Sequence, residues 1–371
     1  MNSINIKVAA LTLLGALATT NPLNAHPSSE TETIEVAFVL DTTGSMGELI
    51  AGAKQKIWSI ANTIVDINPN SEIRMALVGF RDFGDDYVIK KFDLSDDIQG
   101  LYGNLTRFEA AGGGDTPEAV NEALHEAVAN LNWQGQHKKI IFLVGDSPPH
   151  MDYNGPKYPQ IVKTARDKDI LINTVQAGNN AETARIWRDI AQHGNGEFVV
   201  LPQNGGKLLI IETPYDDAIR NLQMEIDRTV ISYGDLRERK RVQRLLQEKA
   251  SANVDTAIGN AKFYSKRHSK PEAITGGGDL VGDVRNGTVA LPSLAEKELP
   301  DEIKFMSTAE RKAHIDGIIE KRIELEEKMT ALVRQHDVYV AKWREKNAAD
   351  GVRTFDNSVS RVLKQQLSGA F

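Results

Sequence analysis

The chain has 371 residues, 41% of them hydrophobic, and a formal net charge of −7, which is enough material for a full core and a second module. It contains no cysteine, so disulfides, thiolate zinc sites, thiol nucleophiles and a bacterial lipoprotein anchor are excluded. Its eight histidines form no His-Glu-x-x-His or comparable cluster, which argues against a zinc enzyme.

Residues 1–25 read as a secretory signal peptide: Lys7 precedes the apolar run Val8 to Ala18, and Leu23-Asn24-Ala25 offers a small residue for cleavage. No later segment approaches about 20 continuous apolar residues. Export and the absence of cysteine together place the mature protein in a bacterial cell envelope, periplasmic or secreted, without a transmembrane segment.

From residue 34 onward strand and helix patterns alternate, the signature of a parallel sheet covered on both faces. The apolar run Val36-Ala37-Phe38-Val39-Leu40 reads as a buried parallel strand. It delivers Asp41-Thr42-Thr43-Gly44-Ser45 to a helix whose apolar stripe runs from Leu49 to Val65. Ile73 to Phe80 and Tyr87 to Phe92 are joined so closely that they require a hairpin, hence one antiparallel edge strand. A helix is expected over 96–107, then the loop Gly112-Gly113-Gly114-Asp115-Thr116-Pro117-Glu118. Pro117 is expected in the first turn of a helix reaching Leu131. Strands at 139–144, 171–176 and 197–201 interleave with helices near 156–168 and 181–193, and a closing helix spans 214–231.

Hard divalent cations prefer oxygen ligands, and the carboxyl ends of parallel strands are where open α/β sheets bind ligands. The pattern Asp41-x-Thr43-x-Ser45 resembles the metal-ion-dependent adhesion site (MIDAS) of the von Willebrand factor type A family. That family adds a Thr from a second loop and an Asp from a third, and Thr116 and Asp146, in Leu143-Val144-Gly145-Asp146-Ser147, stand at the expected places in chain order. The resemblance implies a doubly wound, mostly parallel six-stranded sheet over 32–231, with Asp41, Thr43, Ser45, Thr116 and Asp146 holding Mg²⁺ or Mn²⁺. Two departures are visible: Thr43 stands where Ser is commoner, and Ser147 follows Asp146 where many members have Gly.

Beyond Ser232 the alternation stops, and residues 232–371 read as an all-helical module. Leu236 to Ala261 is expected as one charged helix, and 265–306 as a linker with a short strand near 287–291. Ser307-Thr308-Ala309-Glu310 is a capping box for a helix reaching Lys346. Its seam of Ile315, Ile318, Leu325, Met329, Leu332, Tyr339 and Trp343 is heptad-like, but Arg322 and His336 also fall inward. An intramolecular helical hairpin therefore fits better than an extended coiled coil. Phe355, Val359, Val362, Leu363 and Leu367 mark a last amphipathic helix. This arrangement resembles the helical tail that follows the type A domain in some exported bacterial proteins. Lys and Arg number 19 against 30 Asp and Glu in residues 1–229, and 25 against 21 thereafter. The split suits docking of the two parts on each other better than polyanion binding, so no nucleic-acid partner is expected.

Three other roles for the site fit these residues less well. Asp41 as a plain helix cap leaves four further oxygen-bearing side chains unexplained. Asp-x-Thr-Gly-Ser also resembles the phosphorylated-aspartate loop of the haloacid dehalogenase-like superfamily, which would make Asp41 the nucleophile of a Mg²⁺-dependent phosphatase. That reading lacks an aspartate two residues on for general acid work, a placeable lysine motif and a use for the glycine loop. Metal-assisted hydrolysis would need a base, and His150 is the histidine nearest a ligand loop; it reads as a rim residue facing the partner. The expected function is therefore non-catalytic: hydroxyl ligands leave the ion electrophilic and open, and a partner protein's Asp or Glu completes its shell.

Overall fold

The first strand, β1 (Thr33–Asp41), alternates its side chains between two covered faces, which is why its apolar run is continuous. Ile34, Val36, Phe38 and Leu40 point to one core, and Ala37 and Val39 to the other. In this computed structural model the described residues are 32–113, 116–135, 137–204, 211–268, 274–346 and 355–368; the expected leader lies outside them.

After β1 come α1 (Gly47–Ile67), β2 (Glu72–Phe80), β3 (Ile89–Ser95), α2 (Ile98–Thr106), α3 (Val120–Ala129), β4 (Lys138–Gly145), α4 (Tyr158–Asp167), β5 (Ile170–Ala177), α5 (Ala181–His193) and β6 (Phe198–Leu201). The six strands lie in the order β3-β2-β1-β4-β5-β6. Every pairing is parallel except β2 with the edge strand β3. This is the expected doubly wound, mostly parallel sheet. β1 lies between β2 and β4, so the loops leaving all three open side by side at the carboxyl edge.

Pro117 does not start α3. Its bond to Thr116 is cis and the helix begins three residues later, at Val120. The intervening Glu118 instead forms a parallel bridge with Pro149, so the chain is still extended where a helical turn was expected.

The tail differs from expectation in several places. The helix expected over 236–261 is two, α7 (Leu236–Ser251) and α8 (Val254–Arg267). Ala252 is extended, and the Asn253 side chain accepts the Thr256 amide to start α8. The stretch 265–306 contains α9 (Leu280–Arg285) and the single turn α10 (Asp301–Lys304), with no strand among its described residues. Leu280, Val281, Leu291, Leu299 and Ile303 are buried there with Ile231 and Ile315, a core that a solvated linker would lack. The long helix α11 (Thr308–Lys346) has its capping box, with the Ser307 amide donating to Glu310 Oε2 at 2.8 Å. It packs with α6 (Asp216–Asp227) and α8 through Ile219, Ile226, Tyr264, Leu325 and Met329.

The expected hairpin gives way to a different arrangement: α12 (Phe355–Leu367) lies along α1. Its Val359, Val362, Leu363 and Leu367 join the sheet core. Gln366 and Asn173 on β5 exchange two buried amide hydrogen bonds of 2.8 and 3.1 Å, which fixes the helix against the sheet. The helix after β6 thus leaves the sheet for the tail, and the last helix of the chain covers the vacated face. From Glu32 onward the chain is one compact unit.

Candidate functional site

At the carboxyl end of β1, Asp41 is 1% exposed. Its Oδ1 accepts the Thr43 amide at 2.9 Å and the Thr43 hydroxyl at 2.6 Å, while Oδ2 is buried and has no hydrogen-bond partner among the described residues. The Thr43 and Ser45 hydroxyl oxygens are 3.3 Å apart, with Thr43 buried and Ser45 exposed. Three oxygen-bearing side chains two residues apart therefore converge on one spot. β4 comes close behind: a Cβ on Gly145 would sit 2.9 Å from the Asp41 Cβ and 3.0 Å from the Trp187 ring, so only glycine permits this approach.

Asp146 lies just beyond Gly145. Its Oδ2 accepts from Gln203 Nε2 at 2.7 Å, and the same Gln203 amide reaches the Ser45 carbonyl at 3.2 Å. Ser147, the departure from the family pattern, turns its hydroxyl to Asp146 Oδ1 at 3.2 Å. Thr116 is exposed on the glycine loop, and no hydrogen bond among the described residues joins it to Asp41, Thr43, Ser45 or Asp146. Asp41, Thr43 and Ser45 are thus joined directly, Gln203 bridges Asp146 to the Ser45 backbone, and no hydrogen bond among the described residues ties Thr116 to them.

Four residues not singled out as site residues support these loops. Arg81, 5% exposed, donates to the Thr42 carbonyl at 3.3 Å and to the Glu109 carbonyl at 2.9 Å, tying the β1 loop to the segment before the glycines. Asp85 receives the Gly113 amide at 3.0 Å. Gln203 brackets Asp146 and Ser45. Glu118 is 2% exposed, and its Oε2 is buried without a partner among the described residues. A polar residue next to a motif was the only sequence signal for any of them.

Burial shifts both interior carboxyls. Asp41 is pushed up to about 7 by desolvation and the nearby Asp146 charge, against the pull of the Thr43 donors and the Asp146 amide. Glu118 is pushed up to about 8 by desolvation and by the charges of Asp41, Asp82, Asp85 and Asp146. No group of three or more His, Asp or Glu side chains among the described residues forms a metal cage by itself; the donor set here mixes hydroxyls with carboxylates. His150 is not an open rim residue. It is buried, with Nε2 2.8 Å from Asp82 Oδ1, and it stacks on Tyr153 at 4.2 Å. The exposed rim is Phe83, Met151 and Tyr153.

The family model described as von Willebrand factor A domain matches residues 35–212. This part of the chain is a von Willebrand factor A domain. That membership is consistent with a protein-binding or adhesion-type role. Among curated proteins, the chain is 24% identical over 200 residues to a putative ariadne-like RING finger protein of Acanthamoeba polyphaga mimivirus, a match covering 52% of this chain and 20% of that one. The chain therefore spans about a fifth of that relative's length. Among solved structures it is similar to BatB from Bacteroides thetaiotaomicron, with a TM-score of 0.36 and 16% identity over 46% of this chain and 90% of that one. It is also similar to the pilus adhesin SpaC from Lactobacillus rhamnosus GG, with a TM-score of 0.38 and 13% identity over 47% and 29%. No described helix is long and apolar enough to cross a membrane.

Proposed function

We propose that this is a cell-envelope protein that binds another protein through a divalent cation held at the carboxyl edge of the sheet. The observation that carries the reading is Asp41 Oδ2, a buried carboxylate oxygen with no hydrogen-bond partner among the described residues, beside the Thr43 and Ser45 hydroxyls. A buried charge left unpaired is costly, and a cation supplies what is missing. The donor chemistry, all oxygen and part hydroxyl, suits Mg²⁺ or Mn²⁺. Asp41, Thr43, Ser45 and Asp146 would hold the ion, with Thr116 supplied from the glycine loop. When bound, the ion offers an electrophilic position to a carboxylate of the partner.

The surroundings support binding over catalysis. Asp41 is buried and hydrogen-bonded to its own loop, where an attacking carboxylate would need access to substrate, and His150 is committed to Asp82. Phe83, Met151 and Tyr153 border the loops with exposed apolar surface. The signal peptide expected over residues 1–25 accords with an envelope role.

The test is capture of partners from envelope extract by wild type and Asp41→Ala, each with Mg²⁺ and with chelator. A partner retained only by wild type with Mg²⁺ is expected. A partner set indifferent to both changes would overturn the reading, and phosphatase turnover abolished by Asp41→Ala would replace it with an enzyme.

A further inference from the structure

Four helices, α1, α8, α11 and α12, wall a cleft of about 560 Å³, within the roughly 300–1,000 Å³ that small-molecule sites span. α1 lines it with Ser59, Asn62, Thr63 and Asp66, the spacing of a single helix face. The face a helix turns to its neighbours is ordinarily an apolar stripe. Here the buried lining residues are Asn62, Thr63, His336 and Ile258, so only one of the four is apolar. Packing alone does not call for such a floor.

The walls are held without an occupant. Asn62 donates to the Trp58 and Gly259 carbonyls at 2.8 Å each, which ties α1 to α8. A Cβ on Gly259 would sit 2.8 Å from the Trp58 Cβ, so this approach needs glycine. The Thr63 and Ser360 hydroxyls meet at 2.9 Å and tie α1 to α12. With its donors used, Asn62 still has Oδ1 buried and without a hydrogen-bond partner among the described residues.

The rim is mainly cationic. Of its basic side chains, Lys262 is paired with Asp337 and Arg361 with Glu197, while Asp66 is taken up by Lys266 at 2.6 Å. Asp255 is the other carboxylate of the lining. Arg344 and Lys364 are exposed, and no ion pair among the described residues reaches either. A guanidinium fork beside an ammonium is suited to phosphate, and hydroxyl and amide groups match the donors and acceptors of a polyol. No aromatic side chain lines the cleft among the described residues, so a nucleobase would find no stacking surface.

We propose that this cleft binds a small phosphorylated polyol, with its phosphate on Arg344 and Lys364 and its hydroxyl groups toward the polar floor. The lining includes none of the sheet-edge residues, so the proposal stands whether or not a cation binds there.

The experiment is calorimetric titration of glycerol phosphate and of a hexose phosphate into the full chain, with chelator present so that no cation at the sheet edge can hold the phosphate. Saturable binding of at least one ester is expected, weakened at least tenfold when Arg344→Gln and Lys364→Gln are combined. Both side chains are exposed and outside any ion pair among the described residues, so the double variant should fold, which circular dichroism checks. Lys163→Gln, on α4, should leave binding unchanged. The unphosphorylated polyol and inorganic phosphate should each bind at least tenfold more weakly than the ester. Binding of neither ester, an unchanged affinity in the double variant, or an equal loss in Lys163→Gln overturns the proposal. Inorganic phosphate binding as tightly as the ester overturns the polyol assignment.

Discussion

Two buried polar clusters in this molecule invite comparison. In the tail, Arg322 and Asp279 are each 2% exposed and paired at 2.6 Å. The Arg322 guanidinium also donates to the Thr229 hydroxyl at 2.7 Å and to the Thr229 carbonyl at 2.8 Å. Asp279 uses its remaining capacity to accept the Val281 amide at the start of α9. At the sheet edge, Asp41 and Glu118 are as deeply buried, yet each leaves a carboxylate oxygen without a partner among the described residues. The first cluster is complete as the chain folds and holds α9, α11 and the segment after α6 together. The second leaves its count open among the described residues. Burial of charge alone thus distinguishes nothing; the difference lies in whether the hydrogen-bond count closes.

The largest expected effect breaks the closed cluster. Arg322→Met strands the Asp279 carboxylate in the interior and should cost about 3–5 kcal/mol of stability, read as a fall in the urea midpoint. Mn²⁺ affinity of the folded fraction should not change. A loss under 1 kcal/mol would show that the tail pair is no more structural than the loop cluster.

α12 sharpens the comparison, because it is tail in sequence and head in packing. Leu363 is fully buried in the sheet core, and Leu363→Ala should cost about 2–4 kcal/mol. A negligible change in denaturation would mean that α12 does not complete the head in solution.

For the open cluster the expected signs are reversed. Asp41→Asn keeps an acceptor for Thr43 and removes an unmet charge, so in chelator it should unfold no earlier than wild type. Mg²⁺ at a hundredfold excess over its dissociation constant should stabilise wild type by about 2.7 kcal/mol and the variant by nothing. Melting curves with and without Mg²⁺ measure both.

Asp97, at the junction of α2 and α7, is intermediate. It caps α2 by accepting the Gly100 amide at 2.7 Å and lies 3.7 Å from Arg241, yet burial still pushes it up to about 6. A carboxyl that binds its proton more tightly when folded contributes most below the unfolded value near 3.8, and that contribution is lost as pH rises through about 6. Allowing for partial exposure, wild type should lose about 1–2 kcal/mol relative to Asp97→Asn between pH 4 and pH 6.5. Asn also caps helices well, so parallel pH–stability curves would show that the burial of Asp97 is not felt.

The strands and the β1 loop were legible because they are local: a period of two over covered faces, then a carboxylate and hydroxyls at fixed spacing. The destination of α12 was not. Its stripe of Val359, Val362 and Leu363 announces an amphipathic helix but not which surface it covers, and its partner α1 lies some three hundred residues earlier. The break between α7 and α8 carried a local signal, Asn253 as a cap, masked by charged helical residues on either side. Glu118 and Gln203 are different again. Their roles arise from bringing three loops to one edge, and in the sequence each is only a polar residue in a loop.

The central claim, that the open cluster is closed by a divalent cation, is tested most directly by calorimetric titration of Mg²⁺ and Mn²⁺ into the wild-type protein and Asp41→Ala. One saturable site in the wild type and none in the variant is the predicted result; equal binding by the two, or none by either, would contradict it.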